Sequence, residues 1–418
     1  MMKKYFQKDL VLISLSILLI YMVLGNGNKS FFNASFIFNL ESTFILLYFF
    51  TLKRNILFSK SLKKYTSTFF LLALWSLSVV YSFYTSPLYT IQNELAYSRL
   101  IQSFIHVIFF ISVWHYFKHT QVKTQYLFYS IIISTLILAG YFIYYIHHNT
   151  WLSASYWFEN PPMNAHVRHT GYQVMATLAF FLAFILPQKN KPLHYIIQFS
   201  ILSILFTFLF WLGGRGTVVS LLATFIFLFI VLIYKKVNYR KFILLILASS
   251  IIGLFLSDLL SFYPWNGLLG SLQRSLEAES INQLSTNRIA LWESTISSLK
   301  GNLLFGLGPQ SYYLMPNRIF GVHPHNVILQ FLIEWGVVGT LLFLSLLLKV
   351  FYTGIKLHII NKAPEVNNYA LAAGAVIFTL TVNALIDGTY YHPQPCVYLA
   401  ISFAIWITPS RTKDILDK

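Results

Sequence analysis

The sequence predicts an all-α fold: a polytopic membrane helical bundle of about twelve transmembrane helices. Three observations carry this. The chain has 418 residues, of which 56% are hydrophobic and only 10% charged, whereas a soluble domain carries about 25% charged residues. Apolar windows of roughly 17–25 residues, enough to cross a hydrocarbon core, recur along nearly the whole length. Basic residues crowd into alternate loops, the pattern that orients helices in a bilayer.

The apolar spans lie near 9–25, 31–52, 65–84, 99–117, 124–146, 169–187, 192–212, 216–234, 241–261, 327–352, 368–388 and 394–410. Lys3, Lys4 and Lys8 precede the first, and Lys53, Arg54, Lys60, Lys63 and Lys64 follow the second. The same side then takes Lys118 and Lys123, Lys189 and Lys191, and Lys235, Lys236, Arg240 and Lys241. Lys349, Lys356 and Lys362 follow, and Arg411, Lys413 and Lys418 close the series. The positive-inside rule makes this face cytoplasmic, with both termini on it. A formal charge of +17 would suggest nucleic acid in a soluble protein; here it is a topology signal, and no nucleic-acid partner is expected. The lone Cys396 excludes an internal disulfide and a cysteine-based metal site. The first span lacks a small-residue cleavage site and is expected to be retained. The simplest organisation is a single integral membrane domain over 1–418, with no internal repeat and no attached soluble catalytic domain.

Two outer loops are long: 147–168, with Pro161-Pro162, and 262–324. The second exceeds a plain connection, and such loops are usually functional; it is expected to carry an amphipathic helix around Asn287–Leu299. Lys29, Arg99, Arg168, Arg215, Arg274, Arg288, Lys300 and Arg318 fall on this outer face. Orientation does not explain them. Lys29, Arg274, Lys300 and Arg318 read as solvated loop charges. Arg215, in Gly213-Gly214-Arg215-Gly216, sits in a turn too short to leave the membrane surface. It either snorkels to head groups or pairs with an anion, for which a guanidinium fork suits phosphate. Arg288 follows Ser285 and Thr286, either of which could cap its helix. A cation in a first helical turn opposes the dipole, so Arg288 either contacts an anion or pairs with Glu293. Arg99 opens the fourth span after Glu94, as ion-pair partner, head-group anchor or substrate contact. Arg168 and His169 lie at another outer helix start, where anions are favoured.

The most informative stretch is His323-Pro324-His325-Asn326, where the long loop runs into an apolar helix. Asn326, Gln330 and Glu334 recur every four residues and share one face. Polar groups in a membrane-grade helix are costly unless they act. The two histidines are conceivable zinc ligands, but no Asp, Glu or Cys completes a ligand spacing. A base with its orienter, His325 with Asn326, fits better: neutral imidazole can take a hydroxyl proton, and nearby arginines would keep it neutral. Asn383, Asp387 and His392 form a smaller polar group at the same face, able to contact an acceptor or brace the loop. There is no Walker A motif and no Gly-x-Ser-x-Gly elbow. With 13 acidic residues and no paired Asp motif in an outer loop, a diphosphate would be held by arginine rather than metal.

These residues resemble the O-antigen ligase/polymerase superfamily. The resemblance rests on Arg215 in its Gly-Arg-Gly setting, on Arg288-x-x-x-Trp292 followed by Phe305-Gly306-Leu307-Gly308-Pro309, and on His323-Pro324-His325-Asn326 through Glu334-Trp335-Gly336. It runs from about 165 to 390; the first third agrees in hydropathy alone. It implies a GT-C-type bundle in the bacterial inner membrane, with a large periplasmic loop between the ninth and tenth spans and the active site facing the periplasm. The donor would be an undecaprenyl diphosphate-linked glycan, and no metal or other cofactor is implied. His325 would be the essential base. Arg215 and Arg288 would engage the diphosphate, with Arg168 and, by a loose match, Arg99 beside them; His323, Asn326, Glu334 and Asp387 would support the site. An O-antigen ligase, with lipid A-core as acceptor, is favoured over a polymerase or a protein O-oligosaccharyltransferase. From a different class, a lipid-linked glycan flippase also suits twelve spans. Against it, carriers place functional charges near the bilayer midplane, and here they gather at one face.

Overall fold

The computed structural model describes residues 2–24, 31–52, 65–88, 93–120, 124–151, 153, 156, 160, 161, 166–185, 192–237, 239–261, 267–316, 318–360 and 367–409. Among them there is helix and loop and no strand. An apolar helix stands at each predicted span. The first nine are α1 (Met2–Leu24), α2 (Phe31–Leu52), α3 (Thr66–Tyr84), α4 (Asn93–His119), α5 (Gln125–His148), α6 (Val167–Phe184), α7 (Pro192–Trp211), α8 (Arg215–Tyr234) and α9 (Arg240–Leu259). Four short helices follow: α10 (Gly267–Leu276), α11 (Ile281–Leu284), α12 (Arg288–Ser298) and α13 (Ser311–Leu314). The bundle resumes with α14 (Val327–Gly354), which runs into a π-helical turn (Ile355–Ile360), then α15 (Asn368–Ala384) and α16 (Pro393–Trp406). Lys29, Lys53, Arg54, Lys60, Lys63, Lys64, Lys123, Lys189, Lys191, Pro162, Lys362, Arg411, Lys413 and Lys418 lie outside the described residues, as do the side chains of Lys3, Lys4 and Lys8.

Seven of these helices are long and apolar enough, by themselves, to cross a membrane. α6, α15 and α16 are shorter and buried on nearly every side. A helix apolar all round belongs at the centre of a bundle. α15 brings Ala370, Ala372, Ala373, Gly374 and Ala375 to its neighbours, and small side chains let helix axes approach closely. It packs on α6, α16 and α8. Around this centre α7 pairs with α9, α4 with α16 and α2, α1 with α5, and α14 with α3. Outward faces present Ile226, Ile230, Leu244 and Phe255, all exposed, as lipid contact requires. The chain is a polytopic helical membrane protein.

α14 is not continuous. Gly336 has φ +65 and non-helical geometry, and the segment Leu303–Gly308 fills the break. Val337 and Val338 donate to the carbonyls of Leu303 and Leu304 at 2.9 and 3.1 Å. Leu307 and Gly308 donate to those of Ile333 and Glu334 at 2.8 and 3.0 Å. Backbone groups freed by a break must find partners away from water, and this loop supplies them. It can lie so close because Gly306, φ +75, and Gly336 carry no side chain: a Cβ on either would fall on the other segment's backbone.

Candidate functional site

The break leaves Val327–Trp335 as a half-helix whose N-terminus carries the histidine loop. Asn326 caps it, its Oδ1 accepting from the Ile328 and Leu329 amides at 3.0 and 3.1 Å, while its Nδ2 donates to the Leu385 carbonyl at 3.0 Å. Asn326 thus fastens the loop to the end of α15, where the sequence suggested an orienter for the imidazole. Trp292, on α12, donates from Nε1 to the Pro324 carbonyl at 2.9 Å. Arg288 lies one turn earlier on the same face, so one short helix both clamps the loop and delivers a guanidinium. α12 begins at Arg288 rather than after Ser285 or Thr286. Its cap is Asn287 at φ +61, with no side-chain capping bond, a left-handed position that asparagine tolerates.

The imidazole of His325, at φ +51, is oriented by Asp387: Nδ1 lies 2.7 Å from Oδ1. That carboxylate also accepts from the Gly388 amide at 2.8 Å. A carboxylate partner makes Nδ1 the donor and leaves the lone pair on Nε2, where Arg168 Nη1 lies 3.3 Å away. Burial holds His325 below the ordinary imidazole range, and Arg168 and Arg288 add to this while Asp387 opposes it. Burial alone would raise Asp387, but the hydrogen bond from His325 and the charges of Arg168, His325 and Arg288 hold it well below the usual carboxylate range. His325 is therefore neutral and Asp387 ionised at neutral pH.

Three further imidazoles surround the pair. His323 Nδ1 accepts from the His325 amide at 3.1 Å, which leaves Nε2 as donor to His392 Nε2 at 3.2 Å. The His169 ring lies 4.2 Å, centre to centre, from that of His392. Burial pushes both His323 and His392 well below the ordinary value. Among the described residues no three His, Cys, Asp or Glu side chains are grouped to hold a metal ion. The space between His323, Gln330, Asp387 and Tyr391 is about 10 Å³, room for about one water. That leaves the Arg168 side as the approach to His325 open to a larger group.

Arg168, Arg288 and Arg215 converge on that side. Burial lowers Arg288 from its ordinary value, Asp387 opposes this, and Arg168 and Arg215 are close enough to add to it. Glu293 is exposed, and among the described residues it forms no ion pair with Arg288. Arg215 donates to Ser275 Oγ at 2.5 Å, a neutral partner from α10. Three guanidiniums thus face one carboxylate, which His325 already engages. Arg99 lies apart from them, with Nε 3.8 Å from Glu334 Oε1 and Nη1 donating to the Tyr391 carbonyl at 2.9 Å. Asn383 bonds Ser220 and Thr389 and ties α15 to α8. Arg274, Lys300 and Arg318 are exposed, Arg318 over the Tyr313 ring. Sequence reasoning missed Gln310 and Tyr391, which hydrogen-bond each other. Nothing in their local sequence distinguishes them from loop residues.

Residues 199–344 match the family model described as O-antigen ligase. No curated protein matches the chain. The matched segment holds Arg215, Arg288, Gly306, His325, Glu334 and Gly336, which include the residues of the helix break and part of the histidine–arginine cluster. That match supports the resemblance of this part of the chain to the O-antigen ligase/polymerase superfamily.

Proposed function

We propose that this chain is a membrane glycosyltransferase that moves an O-antigen-type glycan from undecaprenyl diphosphate to lipid A-core, an O-antigen ligase acting by inversion. The observation that carries the reading is the His325–Asp387 pair at 2.7 Å, with Arg168 Nη1 3.3 Å from Nε2. In the reaction an acceptor hydroxyl attacks the anomeric carbon from the face opposite the diphosphate. The carbon–oxygen bond to phosphate breaks, the hydroxyl proton passes to His325 Nε2, and undecaprenyl diphosphate leaves with the bonding electrons. Arg168, Arg288 and Arg215 stabilise that leaving charge electrostatically, at about 1.5–3 kcal/mol for each charge-assisted hydrogen bond. Proton removal by His325 contributes about 10²–10⁴-fold. Asp387 holds the reactive tautomer, and His323 and His392 form the wall behind it.

The chain works as one integral domain over 1–418 in the bacterial inner membrane, with 262–324 on the periplasmic side and the pocket open to the periplasm. Its partners are the lipid-linked donor, lipid A-core and the surrounding lipids. The test is reconstitution in liposomes with purified lipid-linked glycan and lipid A-core, with and without chelator. Covalent transfer that survives chelator and is lost in His325→Ala and Arg215→Ala supports the reading. Transfer by both variants at the wild-type rate overturns it, and translocation without a new bond returns the flippase. Surface glycans of a deletion strain separate the acceptors: loss of all attachment marks a ligase, and a single retained repeat marks a polymerase.

A further inference from the structure

We propose that Arg99 is a positioning residue rather than an anion ligand: with Glu334 it forms a buried strut that ties the helix break to the wall of the histidine cluster. The proposal rests on the glycosyltransferase reading of the site. Glu334 is fully buried and Arg99 nearly so. Glu334 Oε1 accepts from the Gln310 amide at 3.1 Å and from Gln330 Nε2 at 2.5 Å, and it faces Arg99 Nε at 3.8 Å. Arg99 in turn donates to the Tyr391 carbonyl at 2.9 Å, and its guanidinium lies 4.6 Å from the centre of the Tyr391 ring. The Tyr391 hydroxyl closes the circuit on Gln310, 2.7 Å from Nε2. Four segments far apart in the chain are thereby locked together: α4, the loop at Gln310, the outer half of α14 and the turn that leads into His392.

Two physical points separate this strut from the arginines facing His325. A guanidinium already opposed by a fully buried carboxylate has little charge left for a diphosphate, whereas Arg215 has a neutral serine partner. The cavity that Arg99 does line, about 220 Å³ between α3, α4, α14 and α16, is walled almost wholly by apolar side chains such as Trp75, Phe331 and Trp335, a lining that suits a lipid tail and not a diphosphate. What Arg99 controls is the position of Tyr391 and His392, and His392 takes the hydrogen bond from His323. A displacement of order 1 Å at a reacting group costs about 10²-fold in rate.

The experiment is a double-mutant cycle of Arg99→Gln and Glu334→Gln in the reconstituted full-length protein, reading kcat, donor KM and thermal stability in detergent. Removing one partner of a buried pair strands the other charge, whereas neutralising both does not. Each single variant should lose about 10²-fold in kcat with donor KM within about threefold, and the double variant should regain at least about tenfold. A double variant as inactive as Arg99→Gln, with donor KM raised, would show that Arg99 holds the diphosphate and would overturn the strut. Wild-type protein that transfers no glycan defeats the glycosyltransferase reading instead. The strut is then judged on stability alone: rescue of the melting temperature in the double variant supports it, and additive losses overturn it.

Discussion

His325 depends on a partner 62 positions away in the chain. A neutral imidazole is useful as a base only in the tautomer that leaves its lone pair toward the substrate, and Asp387 sets that tautomer. Asp387→Asn should keep the protein folded and lower kcat by about 10²–10⁴-fold. The carboxylate also raises the His325 pKa against the lowering by burial and by Arg168 and Arg288, so its removal should move the acid limb of the kcat profile to lower pH. Unchanged kcat would assign the orienting role elsewhere. A second expectation concerns stability. His166, His323 and His392 are each held below the ordinary value of 6.5, chiefly by burial, His166 at about 3. An unfolded chain takes up protons below pH 6.5 that the folded chain refuses, so this stability is present above 6.5 and is lost as pH falls beneath it. The melting temperature in detergent should fall between pH 7 and pH 5, with a shallower slope in His392→Gln. A flat profile would mean that the cluster stays hydrated. The histidine and arginines were visible in sequence because they break local rules: cations on the wrong face, polar groups on an apolar helix. Asp387 was seen but its role was given to Asn326, since adjacency is legible in a sequence and pairing across the bundle is not.

The broken helix α14 turns two glycines, Gly306 and Gly336, into a mechanism at the level of elements. A straight helix would carry Glu334 and the histidine loop along one axis. The break at Gly336 frees Val327–Trp335 to lean against the loop 303–308, which brings Gln310 onto Glu334 and α12 onto the histidine loop. Gly336→Ala should be severe. A side chain at φ +65 costs about 1–3 kcal/mol in backbone strain, and its Cβ would fall on Leu304, so the loop must retreat. Loss of transfer with a melting temperature several degrees lower is the expected result. Gly140→Ala is the matched control: it lies within α5 with open space around it, and alanine there favours helix by about 1 kcal/mol. Equal behaviour of the two variants would refute the break as a functional joint. The spans themselves were legible because hydrophobic length is a local property, and their predicted centres coincide with the helices. The break was not legible. A glycine inside an apolar run reads as a tolerated helix residue until the loop that fills the gap is known.

At the scale of the whole molecule the claim is one of sidedness. The site joins the starts of α6, α8 and α14 to the end of α15 and to α12, so its residues share one face of the bundle. Among the described residues Lys118, Lys235, Lys236, Lys349 and Lys356 lie toward the other ends of α4, α8 and α14, and the positive-inside rule would assign that face to the cytoplasm. From Val337 to Gly354 the second half of α14 runs for about 27 Å, close to the ~30 Å of a hydrocarbon core. Arg318 and Lys356, both exposed, therefore flank it on opposite sides. In a Cys396→Ser background, single cysteines at these two positions should differ in reach. Arg318→Cys should react with a membrane-impermeant maleimide applied to intact spheroplasts, and Lys356→Cys should react only after lysis. The free Cys396 must be removed first, because it lines the cavity between α3, α4, α14 and α16. Labelling in the reverse order would turn the pocket toward the cytoplasm. A periplasmic glycan acceptor would then be ruled out whatever the chemistry of His325.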